Sequence, residues 1–204
     1  MKLPVIKSFV LLVILCITWQ GVSQEQGIKQ LAVESNHSTL LFSVPISNGI
    51  TRITGKFNTY DVALDLNEQD FTQSSLVVTI DVNSIDTGIP ARDEHLLTAD
   101  FFDAENFPEI TFVSERIAIK DNGYEVHGKF TMRGITKPLT IPLHKTGQDG
   151  KNTYGFSSRL AIDRTGYGVG ASFQHDSMDN FLGELIQVEI DFWTKKRKST
   201  KSKE

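Results

Sequence analysis

Between residues 124 and 133 the chain alternates without interruption. Tyr124, Val126, Gly128, Phe130 and Met132 fall on one side, and Glu125, His127, Lys129, Thr131 and Arg133 on the other. A period of two belongs to a strand with one apolar and one polar face, and a helix cannot use it. The pattern returns at 76–82, where Leu76, Val78, Ile80 and Val82 interleave with Thr79 and Asp81. At 185–193, Ile186, Val188, Ile190 and Phe192 oppose Gln187, Glu189 and Asp191. Weaker runs occupy 38–46, 50–58, 59–66, 109–120, 138–145 and 153–163. Turn signals separate several of them: Ser47-Asn48-Gly49, Asp121-Asn122-Gly123 and Gln148-Asp149-Gly150. With neither a repeat nor an interior linker, these runs predict eight or nine antiparallel strands in one domain.

One connection breaks the rhythm. Pro90 suits the first turn of a helix, and Ala91 to Leu97 follow with good helix formers. The stretch 89–108 then carries Phe101, Phe102 and Phe107 and is too irregular for a strand. A long, part-helical, phenylalanine-rich connection in an all-β domain acts as a plug or a lid.

Strands with one apolar face close into a barrel in either of two senses. With the apolar face inward, the barrel encloses side chains or a small ligand; with it outward, the barrel spans an outer membrane. A membrane barrel carries aromatic girdles. Here Trp193 is the lone tryptophan beyond residue 23, and the phenylalanines sit in strand interiors and in 101–107. The inward sense is expected.

The N-terminus reads as a secretory signal, with Lys2 and Lys7 ahead of an apolar run at 8–17 and small residues at Gly21 and Ser23. That run is too short to span a bilayer, which takes roughly 20 residues. Cleavage is expected after Ser23. A lipid anchor on Cys16 is disfavoured by Leu15 before it, where a small residue is wanted. Cys16 is the single cysteine, so the remainder excludes disulfides, zinc ribbons and thiol nucleophiles.

Charge is uneven. Residues 24–194 hold 13 basic and 24 acidic side chains, whereas 195–204 hold six basic and one acidic. An acidic body argues against nucleic acid as a partner. The basic tail is expected to be solvated and disordered, with room for contact with an anionic surface.

Several motifs lose their chemistry when weighed. Asp86-Thr87-Gly88 occurs once and reads as a turn before Pro90, where an aspartic protease needs paired carboxylates. The glycine-rich 166–170 lacks the lysine and the strand–turn–helix setting of a phosphate loop, and reads as flexible or bulged strand. The five histidines show no metal spacing, and no serine sits in a G-x-S-x-G elbow. Asp163 and Arg164 read as a structural salt bridge at a strand end. On a helix, Arg92, His95 and Leu96 share one face. That face suits either the mouth of an apolar cavity or a solvated surface.

A resemblance bears on that choice. Ala91-Arg92-Asp93-Glu94-His95-Leu96, then Phe101-Phe102-Asp103, then Phe107-Pro108-Glu109-Ile110-Thr111-Phe112 with Ser114 stand in order. The stretch 128–138, then Asp163-Arg164 with Gly166-Tyr167-Gly168, continue the series. Together they resemble the signature of the YceI-like polyisoprenoid-binding family, over roughly residues 30–194. The resemblance implies an all-β fold: a single extended eight-stranded antiparallel lipocalin-like barrel with a short helical connection near 90–104. It implies a bacterial protein exported to the periplasm or secreted, whose tunnel holds an isoprenoid, a quinone or another amphiphilic lipid. It places Arg92, Asp93 and His95 near the ligand's polar head, and Leu96, Phe101, Phe102, Phe107, Phe112 and Phe130 along the tunnel. The expected division is a cleaved segment 1–23, the barrel 24–194 and the tail 195–204.

No nucleophile has an adjacent base, so a binder is expected, with no cofactor and no metal. Two other classes remain open: an enzyme using His95 as general base oriented by Asp93 or Asp86, and an interaction module with a self-filled barrel. Transient contact with a membrane surface and a homodimer both remain open.

Overall fold

The computed structural model describes residues 27–175, 178 and 181–198. The expected signal segment and the tail beyond Lys198 lie outside the described residues.

The alternating segments form β1 (Ile28–Val33), β2 (Thr39–Ile46), β3 (Thr51–Phe57), β4 (Tyr60–Asn67), β5 (Ser75–Asp81) and β6 (Ile85–Asp86). After helix α1 (Pro90–Leu97) come β7 (Glu109–Lys120), β8 (Gly123–Met132), β9 (Ile135–Asp149), β10 (Thr153–Asp163) and β11 (Leu185–Lys196). The ring runs β1-β4-β5-β7-β8-β9-β10-β11 and closes through β1 against β11, giving eight antiparallel walls. The remaining strands prolong three of these walls. β11 pairs with β1 near its end and with β2 along 187–191; β2 pairs with β3, and β3 with β6. Thus β1–β2, β3–β4 and β5–β6 are each one long wall broken by a short kink, and consecutive walls are neighbours throughout.

This up-and-down order sorts the connections between two ends. The helical end gathers 47–50, the long connection 87–108, the 133–134 turn and the stretches 164–175 and 181–184. The far end holds the start of β1, the 68–74 loop, the 121–122 and 150–152 turns and the end of β11. At the helical end Arg133 clasps two connections together, donating from Nη2 to the Ala99 carbonyl at 2.6 Å and from Nη1 to that of Gly168.

The apolar face is the interior one. Leu31, Leu64, Val126, Phe112 and Phe156 are almost wholly enclosed, and Phe130 is buried facing Phe112 across the β7–β8 ladder. Gly128 stands beside the β7 bulge between Ser114 and Arg116. A Cβ there would overlap the Val113 carbonyl oxygen and lie 2.7 Å from the Phe112 ring. Gly128→Ala is therefore expected to cost about 1–3 kcal/mol, because the obstacle is backbone and cannot swing away. Urea unfolding of the two proteins measures it; equal midpoints would refute the close approach.

One junction is only half zipped. β9 and β10 pair from Thr153 with Asp149 to Ser157 with His144, and no further. Beyond that, Ile135 to Leu143 pair with β8 alone, and Ser158 to Asp163 with β11 alone. The cause is in the sequence. Pro138 and Pro142 lie in the unbroken β8–β9 ladder, so the hydrogens they lack belong to the side facing β10.

Three expectations are corrected. The 166–170 stretch is a tight turn rather than strand: Thr165–Tyr167 form a 3-10 turn, with Gly168 and Gly170 at positive φ. Asp163 and Arg164 do not pair. Adjacent side chains at a strand end point to opposite faces. Asp163 therefore turns outward and accepts the Thr165 amide at 2.9 Å, while Arg164 turns inward. The basic stretch begins as strand: β11 runs through Lys196, with Lys195 2.7 Å from Glu34 and Arg197 donating to the Leu31 carbonyl at 3.0 Å. Ladder partners and acidic neighbours hold what composition alone assigned to solvent.

Candidate functional site

Alternation places one apolar row from each wall inside the ring, and the rows do not fill it. They leave a cavity of about 160 Å³, bordered by Leu40, Val62, Ile80, Ile141 and Phe192 among others. An apolar cavity near 150 Å³ stays dry and accepts apolar guests. At the helical end the connection 87–108 caps it with Leu96, Phe101 and Phe102, and Phe102 meets Phe57 edge-on at 6.1 Å.

Of the residues expected along the tunnel, Leu96, Phe101, Phe102, Phe112 and Phe130 border the cavity. Phe107 does not. It lies half-buried over Gly134, whose positive φ makes the β8–β9 turn and whose missing side chain admits the ring.

The three expected head-group residues separate. Arg92 borders the cavity, but it donates from Nε to the Thr87 hydroxyl at 2.7 Å and from Nη2 to the Thr87 carbonyl at 2.8 Å. Asp93 is turned back on the same residue, accepting the Thr87 amide at 2.9 Å and its hydroxyl. Asp86-Thr87-Gly88 is thus the turn that Arg92 and Asp93 fasten to the start of α1. His95 is half-exposed, packed edge-on against Phe101 at 5.0 Å, with Nε2 3.9 Å from Asp100. Neither carboxylate considered as its orienter reaches it. Asp93 serves Thr87, and Asp86 accepts the Gly88 amide at 2.9 Å with Lys56 3.6 Å away. The Gly88 amide is the chief influence holding the Asp86 carboxyl below its ordinary range.

Arg164, read from the sequence as half of a salt bridge at a strand end, borders the cavity as well. Its guanidinium donates to the carbonyls of Gly183, Val169, Gly170 and Leu182 at 2.7–3.1 Å, tying the 164–170 turn to residues 182–183. Burial pushes its pKa down, with Glu184 and Asp163 opposing. Its inward position was recoverable from the period of two along β10. The far end is closed by a polar knot in which Tyr154 donates to Glu68 and Lys29 lies 2.6 Å from the same carboxylate. The hydrogen bond from Lys29 is the main cause of the lowered Glu68 pKa.

With this geometry in hand, the chain can be set beside known proteins. The YceI-like domain family matches residues 31–193. A UPF0312 protein of Yersinia enterocolitica is 33% identical over 122 residues, which is 60% of this chain and 62% of that protein. The chain thus spans less than two thirds of that relative's length. A UPF0312 protein of Vibrio cholerae is 33% identical over 138 residues, covering 65% and 72% of the two chains. Among solved structures, BcnA of Burkholderia cenocepacia superposes with a TM-score of 0.70 at 26% identity, over 79% of this chain and 98% of that one. A polyisoprenoid binding domain from Saccharophagus degradans, implicated in plant cell wall breakdown, gives a TM-score of 0.63 over 83% and 99%. At 13% identity that likeness concerns the fold alone.

Proposed function

The chain belongs to the YceI-like domain family, and on that premise we propose that it is an exported binding protein for an amphiphilic lipid. It holds the long apolar chain of an isoprenoid, a quinone or a similar molecule inside the barrel, for transport, storage or sequestration. The observation that carries this reading is the unfilled apolar cavity bordered by side chains from all around the ring. A barrel stabilised only by its own packing would fill that space, since each void forfeits contacts. Enclosing about 300 Å² of a prenyl chain is worth about 7 kcal/mol before ordering costs of several kcal/mol. Apolar contact alone therefore supports modest affinity. Lys2 and Lys7, the short apolar run and Gly21-Val22-Ser23 support export to the periplasm or beyond.

The test is solvent extraction of the protein purified from its native host without detergent, followed by mass spectrometry. A stoichiometric long-chain lipid is expected, on a polypeptide that starts at or near Gln24. Extracts no richer in lipid than those of an unrelated acidic protein would overturn the binding function. Cytosolic protein that retains Met1 would overturn the export.

A further inference from the structure

The cavity presents only apolar atoms, and the barrel is shut at both ends by polar bonds. At the helical end Arg164 serves the carbonyls around it, Arg133 joins Ala99 to Gly168, and Arg92 and Asp93 hold Thr87. At the far end Tyr154 donates to Glu68, while Lys29 reaches that carboxylate and donates to the Lys151 carbonyl at 2.6 Å. The side wall between β9 and β10 is shut differently. Among the described residues, no ladder, side-chain hydrogen bond or ion pair joins 138–143 to 158–162. The margins of this seam are Leu139, Ile141 and Leu143 against Leu160 and Ile162, all bordering the cavity. Leu139 and Leu160 are only half-buried, so the apolar margin runs from the cavity to the surface. Toward the helical end the seam stops at Tyr167, whose ring lies 5.3 Å from that of Phe130 and 5.2 Å from Lys137 Nζ.

We propose that this seam is the port by which the ligand's apolar chain enters and leaves the cavity, sideways through the wall. The proposal rests on the binding function above and adds its route. Passage through either end breaks bonds to Arg92, Arg133, Arg164 or Glu68. These bonds involve charged groups and are therefore strong, and a hydrocarbon supplies no replacement for them. Passage between Leu139 and Leu160 breaks only dispersion contacts, and a prenyl chain lying there restores them with its own carbons. Pro138 and Pro142 keep this margin available. With no N–H at those two positions facing β10, β9 cannot zip fully against its neighbour.

The experiment follows, by stopped flow, the uptake and release of all-trans-retinol, a neutral isoprenoid that brightens on burial. Retinol is delivered from cyclodextrin to the whole mature protein, which lacks Cys16 and so has no thiol, at protein excess where the uptake rate scales with protein. Continuing the Ser157–His144 register sets Thr140 opposite Ala161, and both are exposed. Thr140→Cys with Ala161→Cys, joined by a short bismaleimide, is expected to slow uptake and release alike by about tenfold or more. Affinity should hold, because a port sets rates and not the equilibrium. The same linker on Ala161→Cys with Gln187→Cys, across the laddered β10–β11 junction, should leave both rates as in wild type. Without any linker, Leu139→Ala and Leu160→Ala should each speed uptake as well as release by about three- to tenfold. Loss of a wall contact alone would speed release only. Arg133→Met and Glu68→Gln, which loosen the two ends, should leave uptake unchanged. Wild-type rates in the linked Thr140–Ala161 protein overturn the port. So does unchanged uptake in both leucine variants, or faster uptake in either end variant; each of these leaves the binding function standing. Wild type that takes up neither retinol nor a geranylgeranyl benzoquinone overturns the binding function, and the port with it.

Discussion

Phe130→Asp is expected to leave no folded protein. Phe130 is 7% exposed, borders the cavity, and meets Tyr167 edge-on with ring centroids 5.3 Å apart. Loss of the ring costs about 3–5 kcal/mol through cavity formation. A carboxylate left among apolar neighbours adds several kcal/mol more or must take up a proton. Against a total stability of about 5–15 kcal/mol, the sum is decisive. Near-ultraviolet circular dichroism and a thermal melt check it: a soluble variant that melts like wild type would show that Phe130 does not face inward.

The second large effect is expected at Arg164. Arg164→Met keeps much of the volume and removes the donors that satisfy four backbone carbonyls. Each acceptor stranded away from water costs about 1–3 kcal/mol, and some will find water when the segment loosens, so the expected loss is about 3–5 kcal/mol. Arg164→Lys should recover only a minor part, because an ammonium cannot reproduce the planar fork. Urea unfolding gives the loss directly, and a Met variant within 1 kcal/mol of wild type would contradict the stapling role. Far-ultraviolet signal should persist, since the ladders do not run through this segment.

The strands were legible because alternation is a local signal, and α1 because Pro90 announces it. Ring closure was not legible from pattern alone, since it depends on β11 meeting partners far from it in sequence, Val33 and its neighbours at one end and β2 along the other. The candidate site was legible in part. Leu96 and the phenylalanines at 101, 102, 112 and 130 carry apolar bulk, and bulk goes inside. The roles of Arg92 and Asp93 were obscured because both bond to Thr87, and helix spacing shows which residues share a face without showing what turn lies beside it. Asp163 and Arg164 misled for a related reason: opposite charges adjacent in sequence suggest a pair, whereas strand geometry separates them.

The prolines of β9 leave the barrel one seam that backbone hydrogen bonds do not hold. Where β9 and β10 are unzipped, Leu139, Ile141 and Leu143 on one margin and Leu160 and Ile162 on the other border the cavity without a backbone ladder between them. Widening a laddered junction means breaking hydrogen bonds in sequence. Widening this one means sliding aliphatic side chains, whose contacts are weak singly and re-form at the next spacing. At that seam the wall of the barrel is held by side-chain packing rather than by a ladder, and it begins at Ser158.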